Sequence, residues 1–308
     1  MKVIFLGTPD FAVLPLKKLL KSKHEVVGVV CNHDKPSGRG GKLSPPPTKI
    51  VAQQAGVPVF QYKSIRKEGV QDMKNLNADI MVTCAFGQIL SKEILEICPN
   101  GVLNIHGSLL PKYRGPAPIQ WAVANGETKT GVTIMRTEEG IDTGPMLLMR
   151  ETDILPNQTS ADLFQALSSL GADMIEEALD LVESKKAVFV PQNHEDMSYY
   201  PMIKKDTFKL DFSKTCHQIC ATVRGAQPWP VAYFVYQDQP IKVFEVKTNQ
   251  TNHNFSCGEV VTSSSKQGLI VACADGLVEI VSLQAPNGRL MPAKAYLNGK
   301  TIEKGSIL

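Results

Sequence analysis

Two polar side chains close an apolar run in this sequence. In GVLNIH (101–106), Asn104 and His106 stand one residue apart, and Gly107 follows at once. A strand sends residues i and i+2 to one face, so an amide and an imidazole leave the end of this strand side by side. Such a pair can hydrogen-bond an oxygen that gains negative charge and can carry a proton. The same two residues could instead form a hydrogen-bonded structural pair, and their spacing is compatible with both. A carboxylate is available in EEGIDTG (138–144), where Asp142 lies between glycines in a short connection between two apolar runs. It could meet the imidazole, orient it and set its protonation, or it could only shape a turn, as Asp near Gly commonly does.

A second stretch has a different chemistry. KPSGRGGKLSPPPTK (35–49) carries Lys35, Arg39, Lys42 and Lys49 and no acidic residue. A basic Gly/Pro-rich loop can follow phosphates; it can also be an exposed solubilising loop. FLGTPDFA (5–12) follows an apolar run but lacks G-x-G-x-x-G, and no acidic residue ends the next run, which disfavours a nicotinamide cofactor. The seven cysteines, an odd number, sit mostly in apolar segments, and Cys216 and Cys220 are spaced for a helix rather than as CxxC. These features fit reduced, mostly buried thiols in a cytoplasmic protein, and no His/Cys cluster has zinc spacing, so no metal is expected.

The elements that position these residues alternate through the first half. KVIFLG (2–7), EVVGVVC (25–31), VPVF (57–60), DIMVTCAF (79–86) and GVLNIH (101–106) read as buried strands, with helices over 10–21, 48–55 and 65–75 between them. This pattern implies an α/β, Rossmann-like, mostly parallel sheet covered on both faces. Ligands of such sheets bind beyond the carboxyl ends of the strands, where Asn104, His106 and the Ala85-Phe86-Gly87 turn lie. TGVTIMRT (130–137) and GPMLLMRET (144–152) read as a strand pair, followed by a long helix over 159–183. Residues 191–207 have little periodicity. Beyond a short helix at 213–223 come short alternating strands with turn signals, the pattern of a small C-terminal β-barrel, and a final short helix at 291–299. In VRGAQPWP (223–230), Trp229 is expected in the core. The expected organisation is therefore a catalytic domain at 1–190, a linker at 191–208 and a β domain at 209–308.

With 308 residues, 43 % apolar and 20 % charged, the chain is long enough for two cores, and no apolar run reaches the length of a membrane span. The first short apolar run, broken by a Gly-Thr-Pro-Asp turn, does not read as a signal peptide. Its net charge of +3 is uneven. Residues 1–208 hold 23 basic and 23 acidic side chains, so the whole excess falls in the last hundred residues. That excess suits a polyanionic partner, though it also fits an ordinary solvated surface.

The stretches NIHGSLLPKYRGPAPIQWA, TGVTIM and GIDTG together resemble the folate-dependent formyltransferase family, and FLGTPDFA with CNHDKPSGRGGKLSPPPTK narrows the likeness to its tRNA-acting branch. The similarity extends over essentially the whole chain. It implies transfer of a formyl group from 10-formyltetrahydrofolate to the amino group of initiator methionyl-tRNA, for translation initiation. Asn104, His106 and Asp142 then fall at the catalytic positions. Ser108, Leu109, Leu110 and Pro111 fall at the folate-binding positions, where two leucines and a proline would wall a flat ligand with Ser108 as the polar tip. The backbone around Phe86 and Gly87 would meet the pterin edge. The basic loop becomes a tRNA contact through Arg39, Lys42 and Lys35, and the β domain an oligonucleotide-binding-like barrel. Arg224, Lys242, Lys247 and Lys294 are its candidate contacts. A monomer with no membrane partner is expected. Two rivals stay open: a folate-dependent enzyme acting on a small amine, such as glycinamide ribonucleotide or an amino sugar, and a non-catalytic tRNA-binding protein on this fold.

Overall fold

A computed structural model describes residues 1–37 and 42–308, apart from the side chains of Ser37 and Lys42. In chain order the elements are β1 (Lys2–Gly7), α1 (Val13–Lys21), β2 (Glu25–Cys31), the hairpin β3 (Lys35–Ser37) and β4 (Lys42–Ser44), α2 (Pro47–Gln54), β5 (Val59–Gln61), α3 (Ile65–Glu68), α4 (Val70–Asn75), β6 (Ile80–Cys84), α5 (Lys92–Leu95), β7 (Val102–His106), α6 (Pro118–Ala124), β8 (Lys129–Arg136), β9 (Met146–Asp153) and α7 (Ser160–Glu183). A second group follows: α8 (Cys216–Gly225), β10 (Ala232–Tyr236), β11 (Gln239–Gln250), β12 (Val260–Ser264), β13 (Gly268–Cys273), β14 (Gly276–Gln284), β15 (Met291–Pro292) and α9 (Ala293–Tyr296).

The chain divides into two compact units. The first holds 1–118, 130–153 and 164–201; the second holds 119–129, 154–163 and 202–308. The expected linker therefore splits. Its first part, 191–201, belongs to the first unit and is pinned there by side chains of the site, while 202–208 belongs to the second.

The first unit is built on a seven-stranded sheet in the order β5-β2-β1-β6-β7-β8-β9. The first five strands in that order are parallel, and β8 runs antiparallel to β7. The apolar, β-branched content of β1 and β6 fits this: Val3 to Leu6 and Ile80 to Val82 are fully buried, as strands covered on both faces must be. From β1 the chain winds outward to β2 and β5, then returns to the other side of β1 as β6. The strand order reverses at β1/β6, where Gly7 and Cys84 pair at the carboxyl ends, and ligands of open α/β sheets bind beyond such a switch point.

One helix differs from the sequence reading, and one close contact fixes where the long helix packs. The helix expected over 65–75 is broken at Gly69, whose N–H closes the first turn on the Ile65 carbonyl before α4 starts. A side chain at Gly69 would press within 2.9 Å of both Ile65 and Tyr62. Gly171, on α7, faces Ile105 of β7: a Cβ there would lie 2.7 Å from the isoleucine Cγ2. The long helix thus packs tightly on the strand that carries Asn104 and His106.

In the second unit one antiparallel sheet runs β10-β11-β14-β13-β12, with β15 beside β14. The antiparallel β domain expected from the alternating runs is present, and its pairings trace an open path with no pairing of β10 to β12 among the described residues. Trp229 is not core: half of its surface is exposed, and Ala226, Val231 and Phe234 occupy the buried positions around it.

Candidate active site at the carboxyl end of the sheet

The last residues of β7 are fixed by their neighbours across the sheet. Asn104 pairs in register with Thr83 of β6, and His106 with Thr133 of β8. The Thr83 hydroxyl donates to Asn104 Oδ1 at 2.9 Å. In this orientation the amide oxygen is taken, and Nδ2 is left without a protein acceptor among the described residues. Thr133 does a similar job for the loop that follows. Its hydroxyl donates to the Ser108 carbonyl (2.7 Å) and accepts from the Leu110 N–H (3.2 Å).

His106 is buried, and both ring nitrogens are placed. Nε2 lies 3.0 Å from the Tyr113 carbonyl, which can only accept, so this nitrogen carries a hydrogen. Nδ1 faces the Asp142 carboxylate at 3.6 Å. That separation is too long for a direct hydrogen bond but well within range of a charge interaction. A proton gained at Nδ1 would meet its counter-ion at once. Asp142 itself adopts a left-handed backbone (φ 51°), and its second oxygen accepts the Gly115 N–H at 2.9 Å. The three residues expected to converge are therefore brought together, all within the first unit.

Gly115 is suited to that contact. Its φ of 108° lies where L side chains are strained, and a Cβ would collide with the Tyr200 carbonyl. The segment is held from the other side by 198–200: the Tyr113 N–H donates to Ser198 Oγ, the Arg114 N–H to the Ser198 carbonyl, and the Tyr200 N–H to the Arg114 carbonyl. The Tyr113 and Tyr200 rings stack with centroids 4.9 Å apart.

The other expected binding residues take less uniform positions. Leu109 and Pro111 are half-buried in the loop beyond β7, and Leu110 is buried. Ser108 does not serve as an exposed polar tip. It is buried, and its hydroxyl donates to the Lys112 carbonyl at 2.7 Å, so it shapes the loop. The Phe86 ring belongs to the core. Its carbonyl, however, lies beyond the end of β6, where Asn32 Nδ2 donates to it at 3.1 Å and Gln88 Nε2 reaches Asn32 Oδ1 at 2.9 Å. Ala85 and Gly87 both have positive φ (47° and 77°), which gives the sharp turn after β6. Ile89, next along, is largely exposed. Thr8 and Asn32, each the residue after a strand end, are tied together by the Asn32 N–H on Thr8 Oγ1 at 3.1 Å; the sequence reading did not single them out, and their place after β1 and β2 was the available signal.

Thiol chemistry finds no support here. Burial pushes the Cys84 thiol, at the end of β6, far above the ordinary cysteine range, and it pushes Cys31, at the end of β2, up to about 11. Among the described residues, two groups have ligand atoms close enough for a metal, Cys216/Cys273/Asp275 and His24/Asp180/Glu183. Neither includes a residue of this site.

The basic loop is partly described. Lys35 is exposed at the start of β3, and β3 pairs with β4 as a short antiparallel hairpin. Arg39 and the Lys42 side chain lie outside the described residues. Lys49 is already paired: Nζ donates to both oxygens of Asp34, at 2.8 and 3.0 Å, and to Gln61. In the second unit, Lys242, Lys247 and Lys294 are exposed, whereas Arg224 donates to the Gln158 carbonyl at 2.9 Å and serves the fold.

Two family models match the chain, "Formyl transferase" over residues 1–179 and "Formyl transferase, C-terminal domain" over 202–301. The chain belongs to the formyl transferase family. The likeness is end to end. The methionyl-tRNA formyltransferase of Clostridioides difficile (strain 630) is 44 % identical over 309 residues, with 100 % of each chain covered. That of Acetivibrio thermocellus is 41 % identical over 310 residues, covering 100 % of this chain and 99 % of the relative. Among solved structures, an N-formyltransferase from Helicobacter canadensis, crystallised with folinic acid and dTDP-3-aminofucose, has a TM-score of 0.69 at 20 % identity, covering 91 % of this chain and 99 % of its own. HypX from Aquifex aeolicus, in complex with tetrahydrofolic acid, has a TM-score of 0.63 at 15 % identity, covering 100 % of this chain and 51 % of its own. At those identities the two structures share the formyltransferase fold with this chain.

Proposed function

We propose that this formyltransferase moves the formyl group of 10-formyltetrahydrofolate to the amino group of initiator methionyl-tRNA, with Asn104, His106 and Asp142 as its catalytic residues. The observation that carries the chemistry is the meeting of Asp142 with His106 Nδ1, beside an Asn104 amide whose donor side is unused. The choice of acceptor is supported by the full-length similarity to methionyl-tRNA formyltransferases.

The reaction forms an N–C bond to the attacking amine, breaks the bond between the formyl carbon and N10, and moves one proton from the amine to N10. The folate donor supplies the activated formyl carbon. Asn104 supplies Nδ2 as a donor to the formyl oxygen as it takes on charge. The bond from Thr83 to Oδ1 restrains the amide beforehand, which limits the reorganisation needed at that moment. His106 accepts the amine proton at Nδ1, and Asp142, at 3.6 Å, balances the imidazolium. Nε2 stays anchored on the Tyr113 carbonyl throughout, which keeps the ring in place.

The carboxyl ends of β1 and β6 suit the donor's flat ring. Gln88 and Asn32 brace the backbone at Phe86, the turn at Gly87 allows close approach, and Leu109 and Pro111 wall the side toward β7. In this reading Ser108 keeps that wall in shape through the Lys112 carbonyl. Arg39, Lys42 and Lys35 contact tRNA phosphates, and 209–308 acts as the tRNA-binding β domain, joined to a catalytic domain at 1–190. The enzyme works as a cytoplasmic monomer and needs no metal.

Formyl transfer assayed with methionyl-tRNA, glycinamide ribonucleotide and a nucleotide-linked amino sugar tests this directly. Transfer to methionyl-tRNA is expected. Transfer confined to a small amine would refute the substrate, and tRNA binding without transfer to any acceptor would refute the enzyme.

A further inference from the structure

The loop that carries Asp142 has little of its own to hold it. Residues Glu138 to Ile141 are exposed, and Asp142 sits in a left-handed conformation. Its anchor is Gln192, in the stretch whose sequence lacks any periodicity. Gln192 Nε2 donates to the Asp142 carbonyl and to the Gly144 carbonyl, both at 2.8 Å, and so clips the two ends of the loop. The amide oxygen is taken on its other side by Arg114, whose Nε lies at 3.0 Å and Nη2 at 2.6 Å. Both side chains are buried, 3 % exposed for Arg114 and 5 % for Gln192.

This arrangement uses the whole amide. A guanidinium can only donate, so its fork fixes which end of Gln192 faces the loop. The backbone beside Arg114 completes the arrangement: the Tyr113 carbonyl meets His106 Nε2, and the Gly115 N–H meets Asp142 Oδ2. One three-residue segment therefore holds the imidazole by a carbonyl, the carboxylate by an N–H, and the loop through an Arg–Gln clip.

We propose that Gln192, oriented by Arg114, is a positioning residue that sets the distance and angle between Asp142 and His106. This rests on the reading above, in which that pair moves the proton. It predicts an effect on turnover without an effect on substrate binding, because both side chains are buried.

Gln192→Glu is the informative variant. It keeps the volume and the Arg114 partner but replaces the NH2 group, donor of both bonds, with one carboxylate oxygen facing two carbonyls. Single-turnover transfer is expected to fall by roughly 10- to 100-fold, the scale of an ångström-sized misplacement, with KM for both substrates within about twofold. In an Asp142→Ala background the same change should add nothing, since the residue acts through Asp142. Full activity of Gln192→Glu, a dominant rise in KM, or an undiminished loss on top of Asp142→Ala would overturn the proposal. Arg114→Lys, which keeps the buried charge and loses the fork, carries the same outcomes if Gln192→Glu does not fold. A crystal structure of the variant separates this inference from the proposed function: Asp142 Oδ1 should move beyond its present 3.6 Å from His106 Nδ1 even if the substrate were another amine, and an unchanged separation would overturn the inference.

Discussion

The Thr83 hydroxyl donates to Asn104 Oδ1 at 2.9 Å, across the β6/β7 register that sets the two residues side by side. A bond across the sheet thereby holds one end of the amide proposed to act in catalysis. Thr83→Val keeps the shape and removes the donor. It should slow transfer by about 10-fold, because the amide can now rotate, and should destabilise the fold by about 1–3 kcal/mol through the unpaired oxygen. Single-turnover kinetics and a denaturant titration measure the two effects separately.

Asn104→Ala tests the amide itself. Loss of one donor to a developing oxyanion costs about 10²–10³ in rate. The fold loses only the Thr83 bond and about 1 kcal/mol, so the variant should unfold nearly where the parent does. A loss confined to KM would argue that Asn104 binds substrate and does not stabilise the transition state.

Gly115→Ala should be severe for a backbone reason. It places a side chain at φ 108° and against the Tyr200 carbonyl. A cost of about 1–3 kcal/mol is expected from the strained conformation alone. The shift also pulls the N–H away from Asp142, so transfer should fall further than stability does. Thermal unfolding and activity on the same sample give the comparison.

The strand end was legible in the sequence because period-2 alternation in GVLNIH puts Asn104 and His106 on one face, whatever follows. The mostly parallel sheet was legible because apolar runs such as KVIFLG alternate with amphipathic stretches, as strands covered on both faces do. The approach of Asp142 was not, since a Gly-rich connection can leave a strand pair in many directions. The Arg114–Gln192 clip was out of reach altogether. Residues 191–201 hold irregular backbone against one side of the site, and irregular backbone has no period to read. Ser108 was read as an exposed polar tip and is buried on the Lys112 carbonyl: a hydroxyl that closes its own turn looks the same in one dimension as one that faces outward.

The basic loop separates free from paired charge. Lys35→Ala is expected to weaken tRNA binding uniformly and to lower the salt slope by about 0.7–0.9, as one phosphate contact would. Lys49 is neutralised by Asp34, whose carboxyl it holds below the usual carboxylate range. Lys49→Ala should therefore change tRNA affinity less than Lys35→Ala does. Filter binding across a salt series distinguishes them, and equal losses would contradict the assignment.

The thiols make a prediction about pH. Burial raises Cys31 and Cys98 to about 11 and Cys216 to about 12, so each stays a neutral thiol at pH 8 and becomes a thiolate only well above it. Cys257 is the exposed cysteine of the seven. An aromatic disulfide reagent at pH 8 should label Cys257 fast and leave the buried thiols untouched until the protein unfolds. Formyl transfer should survive that labelling, and its loss would place a cysteine in the reaction.

The central claim is that His106 and Asp142 together move the proton of formyl transfer, and His106→Ala in single-turnover transfer to methionyl-tRNA tests it most directly. With both substrates saturating, the rate should drop by about 10²–10⁴-fold, the range for a lost general acid–base group, while tetrahydrofolate and tRNA affinities stay within about twofold. A His106→Ala enzyme that transfers formyl within about threefold of the parent rate would contradict the account, because the step that group is held responsible for would then proceed without it.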